Sequence, residues 1–295
     1  MHIIEVLELN KRFFIPENMG ECDRRQYLDM SKLVLNYQMA EIDLNQFRAL
    51  GFYSLMNMKY EKSDFEQAEI EKMQNVYMCA ELLNSFFIVD EKSRMHLIQE
   101  YTHNPIKNVK YRALTFIGPK DQFQGMTYGE MEDGLGELNN YSATGEMESL
   151  IKLFAIFYKR PGERYSKINM EKRIEFFKFL DVRYIYGFYL LFVSFFNYLT
   201  KQCQLLVDGK EIDITLIFSQ KQDIGDNSGS DEPEALGLRS TSFQLAESGV
   251  FGTLDELRES DAFEVLIRMY DLVVRSMREQ KQLDAMKNKN STGND

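Results

Sequence analysis

The stretch Tyr184–Thr200, YIYGFYLLFVSFFNYLT, has 17 residues and no charge, and wherever it goes the rest of the chain has to be arranged around it. A helix needs roughly 20 apolar residues to span a bilayer. This run is shorter, contains Gly187, Ser194 and Asn197, and follows directly on Asp181 and Arg183. A helix that is apolar all round belongs inside a large core or an oligomer, so the run reads as a buried helix, with core and oligomer interface both open. At 295 residues the chain is long enough for one large domain or two modest ones.

Around this helix one order of elements occurs twice. Residues 3–15 (IIEVLELNKRFFI) read as a hairpin turning near Asn10-Lys11, with Pro16 ending the second strand. A polar loop follows, then a helix over about Arg24 to Gln38 with Tyr27, Met30, Val34 and Tyr37 at helical spacing. Asp43 and Gln46 form a capping-box signature for a second, more apolar helix. Residues 106–160 repeat this order: a hairpin ending at Pro119, a polar loop, a helix from Thr127, a break at Thr144-Gly145 and the apolar helix SLIKLFAIFYKR. Two readings remain: a duplication forming one pseudo-symmetric body, or the chance recurrence of common elements.

The stretch between the copies, about Ser63 to Tyr101, reads as one long helix with Val76, Met78, Cys79, Leu82, Leu83, Phe86 and Phe87 as its apolar stripe. Asn169 to Leu180 reads as a further helix, and residues 203–218 as two strands around Asp208-Gly209. The fold expected is mainly α with short β-hairpins (α+β). It comprises a body over 1–219, with repeats at 1–104 and 105–219, and a C-terminal helical segment over 237–286. Residues 220–236 between them read as a flexible acidic linker. Positions 220–234 alone hold five acidic residues and one Lys, a net −4 of the whole chain's −11, and such a composition does not offset the entropy of ordering. The last residues, 287–295, read as a disordered polar tail.

In the C-terminal segment Thr253 and Glu256 make another capping box. Phe263, Leu266, Tyr270, Val273 and Met277 then recur in steps of three and four. This stripe is the candidate partner-docking face; the alternative is that it folds back onto the core.

Composition and motif arguments exclude several chemistries. A net charge of −11 opposes nucleic-acid binding, which draws on surplus Lys and Arg. Cys22, Cys79 and Cys203 are odd in number and widely spaced, which argues for a reducing compartment and against a disulfide scaffold. The start MHIIEVLELNKRFF lacks a basic segment followed by an apolar one, so no secretory signal is expected. His96, Glu100 and His103 would share one face of a helix, but three ligands in a row on one helix close poorly around a metal. Gly209-Lys210 lacks the upstream glycine of a phosphate loop, and Gly134-Leu-Gly136 lacks the third glycine of a dinucleotide fingerprint. No catalytic residue, cofactor or metal is therefore assigned, and the expectation is a non-enzymatic binding protein.

Several segments resemble one family. Asn104-Pro105-Ile106, then FIGPKDQFQGMTYGEMEDG (116–134), then ESLIKLFAIFYKRPGERY (148–165) are similar to a pattern in Bacteroidetes phage and prophage proteins encoded among tail genes. There a Gly-Pro-x-Asp loop, a Thr-Phe/Tyr-Gly-Glu helix start and an apolar helix ending in Tyr-Arg follow one another. FFIPENMGECDRRQYLDMSKLVL resembles the family's opening, and FGTLDELRESDAFEVLIRMYDLV its close. Lys159-Arg160-Pro161 adds a basic residue to the pattern, and Arg239–Val250 has no counterpart in it. The resemblance implies a virion-morphogenesis protein of the host cytoplasm, a tail assembly chaperone that holds the tape-measure protein until the tail tube polymerises. It carries no catalytic residues to transfer. A structural component of the tail or head–tail connector is the alternative, with a membrane-associated or enzymatic factor behind it. Self-association into a homo-oligomer is compatible with either of the first two.

Overall fold

The computed structural model describes residues 1–6, 10–58, 67–92, 94–219, 245 and 250–291, and the chain is 59% helical. In chain order the strands β1 (His2–Val6) and β2 (Lys11–Ile15) precede the helices α1 (Arg24–Gln38), α2 (Leu44–Leu55) and α3 (Gln67–Ala80). Two hairpins follow, β3 (Phe87–Val89) with β4 (Met95–Leu97) and β5 (Asn108–Tyr111) with β6 (Leu114–Ile117). Next come α4 (Tyr128–Thr144), α5 (Met147–Phe157), α6 (Lys167–Phe177) and α7 (Val182–Lys201). The hairpin β7 (Gln204–Val207) and β8 (Lys210–Asp213) leads to α8 (Leu216–Ser219), α9 (Leu254–Glu259) and α10 (Ala262–Ser291). Among the described residues the strands form four two-stranded antiparallel sheets. This is the mainly α architecture with short hairpins that the sequence predicts.

The recurring order is present in the structure. Hairpin, Pro16, a 3-10 turn at Met19–Glu21, α1 and α2 are matched by hairpin, Pro119, a 3-10 turn at Asp121–Phe123, α4 and α5. The two tyrosines and two apolar residues aligned by spacing, Tyr27 with Tyr128 and Phe47 with Leu150, are all fully buried. The helix starts follow their local chemistry. The Asp23 and Asp43 carboxylates accept the backbone N–H of Gln26 and Gln46, and each Gln side chain accepts the cap's own N–H.

The single helix expected over 63–101 is not formed. After α3 the chain tightens into a 3-10 turn at Glu81–Phe86 and then enters the β3–β4 hairpin; residues 59–66 lie outside the described set. Asp90 explains the reversal, because one of its carboxylate oxygens accepts the N–H groups of both Lys92 and Arg94. A local side-chain turn here outcompetes helix propagation, and β-branched Ile88 and Val89 suit the strand. The second strand of the 203–218 hairpin also ends early, at Asp213, whose carboxylate takes the Thr215 N–H and hydroxyl.

The chain divides into two units, residues 1–124 with 137–195, and residues 125–136 with 196–295. This differs from the expected 1–219 body, because the second unit takes in 125–136 and 196–219. The acidic linker at 220–236 lies outside the described residues. The tail boundary moves as well: α10 runs to Ser291, past the expected end at 286, since no Gly or Pro interrupts it before Gly293.

In the first unit the apolar run is a core helix. Ile185, Tyr186, Phe188, Leu190, Leu191, Phe192 and Phe195 are buried. Phe123 stacks on Phe195 with ring centroids 4.2 Å apart and meets Phe157 edge-on at 5.4 Å; such ring pairs add stability beyond area alone. Ser194, a polar interruption in the run, exchanges two hydrogen bonds with the Tyr101 backbone at 2.7 and 2.6 Å. Gly187 lets α1 approach, for a Cβ there would sit 3.1 Å from the Tyr27 ring and 3.0 Å from Ser31 Oγ. The Tyr27 hydroxyl donates to the Gly187 carbonyl at 2.7 Å. No helix among the described residues is long and apolar enough to cross a membrane.

In the second unit Tyr128 N–H donates to Ser260 O and Ala262 N–H to Met126 O, both at 2.9 Å. Arg258 from α9 pairs with Glu132 and Asp133 on the first turns of α4. The pairs are largely shielded from water, so losing one partner would strand a charge.

Candidate functional site

Two surfaces stand out, one in each unit. The first is α10. Thirty residues give a rod of about 45 Å. Its first turns bury Ala262, Val265, Leu266 and Met269, and the helix packs on α8 and β8. The candidate docking stripe is divided between the core and the surface. Leu266 is fully buried, Phe263, Tyr270 and Val273 are half-buried, and Met277 is exposed. A three-four spacing fixes the period of a stripe, but the packing partner chooses which adjacent row faces inward, and here the row through 262, 265 and 269 faces inward. Further along, Met277, Leu283 and Met286 stand 38, 58 and 61% exposed. Arg268 and Arg275 both reach Asp271, at 2.7 and 2.9 Å.

The second is a cleft of about 560 Å3 in the first unit, bounded by α1, the C-terminal end of α2 and the start of α7. It collects three cations, Arg25, Lys32 and Arg183, and two carboxylates, Asp29 and Asp181. Arg25 on α1 donates to the Ser54 carbonyl at 2.7 Å, and Gln26 donates to the Leu55 carbonyl at 2.9 Å. Both cap the open carbonyls at the end of α2, where a cation is favoured. Asp181 N-caps α7 through the Arg183 N–H at 2.9 Å. The Arg183 guanidinium bridges both acids, 2.8 Å to Asp29 and 2.7 Å to Asp181. Its hydrogen bonds to the Asp181 carboxylate hold that acid below the usual carboxylate range. Lys32 is exposed and lies close enough to lower the Asp181 pKa further.

The sequence pointed to Asp181 and Arg183 only as polar neighbours of the apolar helix, and did not find the cleft. Nothing in local spacing links positions 25–32 to 183; only the α1–α7 approach at Gly187 brings them together. No protein-family model, curated protein or solved structure matches this chain. Its remaining groups have to be read from their surroundings.

His96, Glu100 and His103 do not share a helix face. His96 is on β4 with its Nε2 3.0 Å from Asp90, while Glu100 and His103 are exposed in the extended segment beyond. Among the described residues no group of three or more His, Cys, Asp or Glu could hold a metal. The three cysteines are free thiols, Cys22 and Cys203 being buried. Burial pushes the Cys22 thiol well above its ordinary pKa, the opposite of what a nucleophile needs.

Proposed function

We propose that this is a non-enzymatic protein-binding factor of phage morphogenesis, a tail assembly chaperone that holds the tape-measure protein before the tail tube polymerises around it. The observation that carries the reading is α10: its first turns are anchored in the second unit, while its last turns offer Met277, Leu283 and Met286 to the surroundings. Flexible, polarisable Met side chains adapt to varied apolar partners, and Leu283 and Met286, three positions apart on one side of the helix, are what an apolar-faced partner helix would meet. An overall charge of −11 would keep a factor with exposed apolar positions dispersed. The family resemblance supplies the identity of the partner.

The test is co-expression with the tape-measure protein, followed by purification of the complex and mass spectrometry of mature particles. The chaperone reading expects a stable complex and no copies in the particle; a fixed copy number in particles would contradict it. One observation favours the structural alternative, a tail or connector component. Among the described residues each sheet has only two strands, and apart from Ile117 on β6, which bridges to Lys159, strand edges of this kind are where a neighbouring subunit can add.

A further inference from the structure

We propose that the α1–α2–α7 cleft is a docking site for an acidic peptide segment, separate from the α10 surface. The argument starts from charge. The chain carries a net −11, which repels anions in general, yet the cleft gathers three cations against two carboxylates and is locally positive. Both arginines are held in place. Arg25 is fixed by the α2 carbonyl of Ser54, and Arg183 by Asp29 and Asp181, so little side-chain freedom remains to be lost on binding. Among the described residues Arg183 uses three of its guanidinium N–H groups, on Asp29 and Asp181. A guanidinium has five, which leaves donors for an incoming carboxylate. Lys32 is exposed and sits in no direct ion pair among the described residues, so its ammonium is available as a point charge.

The walls favour a peptide over a bare anion. Leu50 is 41% exposed on the α2 side, and Leu33 and Met58 add apolar surface. A carboxylate held by Lys32 and Arg183 would leave its neighbouring residues against these side chains. The ligand fitting these groups is an extended chain whose acidic side chain enters the cleft and whose backbone stays outside.

The experiment uses the full chain and a fluorescein-labelled Glu-Glu-Leu repeat peptide, with its Gln-Gln-Leu counterpart as control, read by fluorescence anisotropy. The Glu peptide should bind and the Gln peptide should not, and raising the salt should weaken binding. Lys32→Glu should weaken it about tenfold with an unchanged circular dichroism spectrum, while Lys32→Arg should retain it. Equal binding of the two peptides, or full binding by Lys32→Glu, would overturn the proposal. Displacement of the peptide by an equal concentration of inorganic phosphate would also overturn it, by making this a small-anion site. Removal of residues 276–295 should leave peptide binding intact, so failure here and failure of the α10 reading are distinguishable.

Discussion

Residues 2–55 and 108–157 follow the same order of elements and put it to different uses. In the second region the apolar helix α5 and Tyr158 just after it bury six consecutive residues, Leu153–Tyr158. Phe154 stacks on Tyr158 with ring centroids 3.9 Å apart and meets Phe177 edge-on at 4.9 Å. Tyr158 donates its hydroxyl to the Ile106 carbonyl at 2.6 Å, which satisfies the polar end of a fully buried ring. In the first region α2 buries only Phe47, Gly51, Phe52 and Leu55. Its other side carries Leu50, Tyr53 and Ser54 into the charged cleft. The same supersecondary order can thus serve as a hydrophobic centre or as a binding surface, depending on how many polar residues its second helix keeps.

The largest expected effect is in the α5 core. Phe154→Ala should destabilise by about 3–5 kcal/mol, whereas Leu50→Ala in the first region should stay within about 0.5 kcal/mol. Urea unfolding of both variants checks this, and equal losses would remove the distinction between the regions. A smaller effect is expected at Gly118. An added Cβ would lie 2.6 Å from Tyr158 Cζ, on a ring fixed at its hydroxyl and against Phe154, so Gly118→Ala should cost about 1–3 kcal/mol, visible as a lowered Tm.

The smallest effect concerns pH. Asp121 in the second region accepts the Asn104 N–H at 2.7 Å and pairs with Lys107 at 3.3 Å. The Asn104 bond is the main cause of its lowered pKa. A carboxylate depressed in the folded state contributes stability that is present above its ordinary pKa and lost as pH falls through the folded value. The Tm of the wild type should therefore decline more steeply below about pH 4 than that of Asp121→Asn. Identical slopes would mean that the carboxylate contributes nothing.

Much of the fold is legible in local sequence. Asp43 and Thr253 announce helix starts, Asp208-Gly209 announces a turn, and the absence of charge in 184–200 announces a buried helix. What escapes is tertiary in origin. The β3–β4 hairpin replaces the second half of a predicted helix because the Asp90 side chain captures two backbone N–H groups, a competition that apolar spacing does not register. The inward face of α10 is chosen by α8 and β8 and not by its own period. The cleft escapes entirely, because Arg25 and Lys32 meet Arg183 only after α1 and α7 close at Gly187.

The central claim, that the distal half of α10 is what this protein offers to its partner, is tested most directly by removing residues 276–295 from the full chain. The truncated protein and the intact one are each co-expressed with the tape-measure protein, and the amount of complex recovered is quantified alongside circular dichroism and Tm. The account predicts that the truncated chain keeps its fold and its Tm and loses the complex. Recovery of the same amount of complex from a folded, truncated chain would contradict it.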